Sequence, residues 1–114
     1  MKLLYIAGPY RGKNQFCVTA NIERARSVAH DVINHLAPVW HPVTPHLNTQ
    51  YMDDLASHEY FLTGTLELMR RCDAVLVQGE WESSEGTIAE IAEARRLGMP
   101  VYFELEEIDK EKCK

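Results

Sequence analysis

The residues best placed to do chemistry are carboxylates, hydroxyls and one arginine set beside glycines. Ser84-x-Gly86-x-x-x-Glu90 runs into an apolar-periodic segment, so Glu90 is expected at the start of a helix. Backbone N–H donors and the helix dipole there would hold its carboxylate ionised, and an ionised glutamate can attack an electrophilic carbon. Thr87-x-x-Glu90 also fits a capping box that needs no catalysis, so the local pattern leaves both roles open. Gly8-Pro9-Tyr10-Arg11-Gly12-Lys13 follows a short apolar run. Its glycines would let backbone N–H groups approach an anion, and Arg11 offers two parallel donors to a phosphate. The segment matches neither a Walker loop nor the dinucleotide glycine fingerprint, and a Gly-Pro turn after a strand needs no ligand.

Other candidates are less directed. Trp81 lies between these carboxylates and can stack on a planar ligand, wall off a pocket, or serve a surface or subunit contact. His41 and His46 stand in a proline-rich stretch, where they can line a pocket or be ordinary loop histidines; they make no metal site. Cys17, Cys72 and Cys113 have neither metal-ligand nor redox spacing, and their odd number suits reduced thiols used in packing or at the surface. With no metal-ligand set and no cofactor motif, metal-independent and cofactor-free chemistry is expected.

These residues must be positioned by alternating strands and helices. Residues 2–7 (KLLYIA) form a buried-strand pattern stopped by Gly8-Pro9, and residues 21–36 carry apolar positions at helical spacing with Asn21 placed as the cap. Residues 37–40 (APVW) read as a weaker strand because of Pro38, and residues 41–51 as a loop over the strand ends. A helix is expected over 54–71, interrupted at Thr63-Gly64-Thr65; a strand over 73–78; a helix over 87–97, stopped by Gly98; and a last strand over 100–105. The alternation predicts an α/β fold, a small flavodoxin-like or Rossmann-like parallel sheet sandwiched by helices, binding its ligand beyond the carboxyl ends of the strands.

The 114 residues suit one domain spanning 1–114, with one active site. A net charge of −5, with no basic stripe, argues against a nucleic-acid partner and for a small molecule. No apolar run approaches the ~20 residues of a membrane span, and the chain enters its first strand without a signal-peptide pattern. A soluble cytoplasmic protein with no membrane partner is expected.

Three pieces, Tyr5-Ile6-Ala7-Gly8-Pro9-Tyr10-Arg11-Gly12, Cys72-Asp73-Ala74-Val75-Leu76-Val77 and Ser84-x-Gly86-x-x-x-Glu90, occur in an order and spacing that resembles the nucleoside 2-deoxyribosyltransferase superfamily, which includes the 2'-deoxynucleoside 5'-monophosphate N-glycosidases. The resemblance runs from the first strand to the last helix. It implies that Glu90 attacks the anomeric carbon of a nucleoside or nucleotide, releasing the base and leaving a covalent glycosyl-enzyme that water or another base resolves. It further implies that Tyr5 positions the nucleophile and that Asp73 contacts the sugar or helps the base depart. Gly8, Tyr10, Arg11, Gly12, Trp81, Ser84 and Gly86 would contact substrate.

Two departures bear on the acceptor. The transferases typically carry an aspartate six residues before the nucleophile, where this chain has Ser84 as the monophosphate glycosidases do. Ser84 and Arg11 therefore point toward hydrolysis of a monophosphate. Pro9 points the other way, standing where the hydrolases commonly have serine, and it lacks an N–H for phosphate. The chain is short for either subgroup, which implies a homo-oligomer whose second subunit completes the pocket. A nucleotide-binding module that kept the fold and lost the reaction is the alternative of another class.

Overall fold

The computed structural model describes residues 1–112, with side chains described through Ile108; Cys113 lies outside the described residues. The first strand, β1, spans Lys2–Ala7, within the bounds its apolar run predicts. Helix α1 spans Gln15–Leu36 and begins earlier than expected, because Asn14 caps it by accepting the Cys17 N–H at 3.0 Å. Asn21 therefore sits inside the helix and caps nothing. Val18, Ile22, Ala25, Ala29, Val32 and Leu36 make the buried stripe, spaced by three and four residues as one helix face requires.

Strand β2 is Trp40–Val43, later than the expected 37–40, because Ala37 and Pro38 complete the turn out of α1 across a cis peptide bond. Pro42 is tolerated because β2 lies at the sheet edge. The expected loop over 41–51 is thus part strand and part short helix, α2, Pro45–Asn48. Helix α3, His58–Arg70, starts where Ser57 accepts the Tyr60 N–H and continues through Gly64. Strand β3 is Ala74–Val77, and helix α4 is Glu85–Arg96, begun by Ser84 and ended at Gly98 with φ +74°. The last expected strand shrinks to β4, Val101–Tyr102, since Glu107 accepts the N–H groups of Phe103 and Glu104 and turns the chain into α5, Leu105–Lys112.

The four strands pair in parallel in the order β2-β1-β3-β4, a flavodoxin-like sheet. Alternate residues of β1 feed opposite layers. Leu4 and Ile6 pack with Val32 and Leu36 of α1 and Ile108 of α5; Tyr5 and Ala7 pack with Met69 of α3 and Ile91 and Ala94 of α4. Strand order reverses between β1 and β3, so their carboxyl ends diverge into a crevice there. No helix among the described residues is long and apolar enough to cross a membrane.

Candidate active site

Glu90 projects from the second turn of α4 rather than its start. The helix is capped by Ser84, whose Oγ accepts the Thr87 N–H at 3.3 Å and lies 2.8 Å from Thr87 Oγ1, so Thr87-x-x-Glu90 is not a capping box. At this depth the helix dipole has largely faded and burial dominates. Glu90 is 6 % exposed, and burial pushes its carboxyl up to about 7. This corrects the expectation of a carboxylate held ionised by the helix start. Hydrogen bonding from Tyr5 and Thr65 acts in the opposite sense, keeping the group within reach of neutral pH.

Tyr5 is fully buried behind Glu90 and donates its phenolic hydrogen to Glu90 Oε2. Strand alternation aims Tyr5 at α4 while Leu4 and Ile6 point to the other layer. Burial first, then the Glu90 charge, raises the phenol well above its ordinary range, so it stays a donor. Thr65 also hydrogen-bonds the Glu90 carboxyl, which lines a cavity.

The crevice above β1 and β3 holds a cavity of about 450 Å³, within the range of small-molecule sites. Of the sequence-predicted residues, Gly8, Tyr10, Arg11, Ser84, Gly86 and Glu90 line it. His46 lines it as well, 4 % exposed, and its Nε2–H is shared between the carbonyl oxygens of Gly8 at 3.0 Å and Pro9 at 3.1 Å. Burial lowers the pKa of this ring, so the imidazole is neutral and acts as a strut under the loop. Asn21 holds the same loop through its amide, donating to the Tyr10 and Arg11 carbonyls at 3.1 and 3.2 Å. The Tyr10 hydroxyl accepts the Tyr51 N–H at 2.8 Å and donates to Asp53 at 3.3 Å, fastening residues 51–53 across the mouth.

Five residues singled out in the sequence are placed elsewhere. Asp73 precedes β3 and so lies at the amino edge of the parallel sheet, opposite the cavity, where it accepts the Leu3 N–H at 2.7 Å. Trp81 packs on Phe103, ring centroids 5.5 Å apart, against the α3/α4 layer. Gly12 faces the first turn of α1, where a Cβ would come 2.4 Å from Cys17 Cβ. Tyr5 is fully buried behind Glu90 and stands outside the cavity lining. His41 is exposed and outside the lining. Cys17 and Cys72 are free thiols, and burial pushes Cys72 up to about 11.

Asp53, His58 and Thr65 are among the cavity residues that escaped the sequence reading. The Thr63-Gly64-Thr65 interruption was itself a signal, since a polar break in an apolar helix stripe marks a face turned to something other than core. Asp53 and His58 carry no comparable local mark. Among the described residues no group of three or more His, Cys, Asp or Glu is placed to hold a metal.

A family model described as a domain of unknown function, DUF7768, matches residues 2–104. No curated protein matches the chain. Among solved structures, the chain is similar to the 2-deoxyribosyltransferase of the psychrotolerant bacterium Bacillus psychrosaccharolyticus, a biocatalyst for nucleoside synthesis. The TM-score is 0.57 at 20% identity over 90% of this chain and 75% of that one. At that identity the likeness establishes a shared fold.

Proposed function

Taking as premise that the chain belongs to the DUF7768 family, whose description assigns no activity, we propose that it cleaves the N-glycosidic bond of a nucleoside or its 5'-monophosphate. The observation that carries this reading is the buried Glu90–Tyr5 pair opening onto a cavity at the strand-order switch point. The fold shared with a 2-deoxyribosyltransferase supports it. Ionised Glu90 attacks the anomeric carbon while Tyr5 holds Oε2. The carbon–nitrogen bond breaks, its electron pair leaves with the base, and the base takes a proton from solvent or from an acid in the cavity. Water then attacks the same carbon and frees Glu90, as in retaining glycoside cleavage. A second base in place of water gives transfer.

Hydrolysis is the step proposed here, and incubation of 2'-deoxynucleosides and their monophosphates with and without an added free base tests it. Base release without an acceptor is the expected result. Exchange that requires the added base establishes transfer, and binding without turnover of any substrate defeats the enzymatic reading in favour of a binding module. The reaction belongs in the cytoplasm, where thiols such as Cys17 and Cys72 stay reduced. A homo-oligomer is part of the proposal, supported by Phe16 and Leu55, which stand 81% and 80% exposed. Light scattering measures it.

A further inference from the structure

We infer that the cavity takes an uncharged nucleoside and turns away its 5'-monophosphate, an inference that rests on the glycosidic reading above. Apart from Arg11, the features that looked like a phosphate cradle are committed to the protein itself. A Cβ on Gly8 would come 2.0 Å from Gln78 Nε2 and 2.8 Å from the Gln78 carbonyl oxygen, so this glycine lets β1 pass β3 closely. Gly12 is required by the Cys17 contact on α1. The Ser84 hydroxyl caps α4 and bonds Thr87.

Charge points the same way. Asp53, Glu80, Glu85 and Glu90 line the cavity, faced by the single guanidinium of Arg11. The α4 N-terminus opens on the cavity at Gly86 and would favour an anion, but Glu85 already supplies negative charge in that first turn. A phosphate monoester brings further negative charge into this carboxylate-rich space, whereas sugar hydroxyls are donors that carboxylates accept. Asp53, held at the mouth by Tyr10, is placed to accept one.

Rates of base release and equilibrium binding by calorimetry, measured on the wild-type protein with matched 2'-deoxynucleosides and 5'-monophosphates, test the inference. The nucleoside is expected to lead in kcat/KM by about tenfold or more, the scale of a few carboxylate repulsions in a partly solvated site. Glu80→Gln/Glu85→Gln is expected to narrow that gap severalfold, as is raising the salt from low to 0.5 M, at which exposed charges are screened by roughly a 4 Å Debye length. Equal or better turnover of the monophosphate overturns the inference and leaves the glycosidic reading standing. A gap indifferent to both the double variant and salt overturns it too, because charge would not be its cause. If no substrate turns over, the glycosidic reading fails and binding decides: tighter nucleoside binding sustains the class assignment. Equal or tighter monophosphate binding, or no binding of either, overturns it.

Discussion

The two faces of β1 are built from the same six-residue strand and serve different ends. Toward α1 and α5, Leu4 and Ile6 meet Val32, Leu36, Trp40 and Ile108, an apolar layer. Toward α3 and α4, Tyr5 meets Glu90 and Thr65, and the layer opens into a cavity at the carboxyl end of the sheet. The first face stabilises the fold chiefly by burying apolar side chains. The second gives up some of that stability to hold a carboxyl group whose charged form its surroundings disfavour, a recurring property of functional sites.

Cutting each face in turn should separate the two roles. Glu90→Ala is expected to lower kcat/KM by about a thousandfold or more while the protein remains folded. Ile6→Ala, on the closed face, should cost roughly 2–5 kcal/mol of stability in denaturant titrations and leave turnover per folded molecule nearly intact. Equal loss of activity in both variants would merge the faces into one unit.

The open face should also announce itself in pH. Glu90 titrates at about 7 when folded, above its ordinary 4.5, so its proton is bound more tightly in the native state. The stability this provides is fully present below 4.5 and is lost as pH rises through about 7. Relative to Glu90→Gln, the wild type should therefore weaken across that window by up to about 3 kcal/mol, at about 1.4 kcal/mol per pH unit. Activity should run opposite, rising with pH and levelling above about 7, because the ionised form attacks. A rate that falls through the same range would make Glu90 an acid.

Smaller effects sharpen the boundary. Tyr5→Phe keeps the ring in its layer but removes a donor that lowers the Glu90 pKa, so the midpoint of the rate profile should move up and kcat should drop roughly 10- to 100-fold. Asp73→Asn should leave kcat unchanged, at a cost of about 1 kcal/mol from the weakened bond to the Leu3 N–H. Loss of turnover in that variant would return Asp73 to the mechanism.

The same contrast explains what was legible beforehand. The apolar run of β1 and the helical spacing of α1 and α4 are local, and they identified the elements and the α/β class. Boundaries went astray where a side chain overrode the pattern. Asn14 started α1 early, Ser84 started α4 early, and Glu107 drew the end of the last expected strand into α5. Among site residues, those on the loops after β1 and β3 were found because parallel sheets bind ligands there. Asp73 lies the length of β3 away from the cavity: a residue before a parallel strand lies at the amino edge however well its neighbours match.

By itself, then, the sequence determined which segments become strands and helices and that Glu90 follows β3 on a helix, since periodicity and caps act within a few residues. Only the tertiary structure decided that Asp73 lies at the amino edge of the sheet, away from the cavity that Glu90 lines. It also decided that Asp53 and Thr65 join the cavity, and that burial outweighs the helix dipole in setting the charge of Glu90. Those outcomes depend on strand order, facing direction and depth, which arise only when segments distant in the chain are packed together.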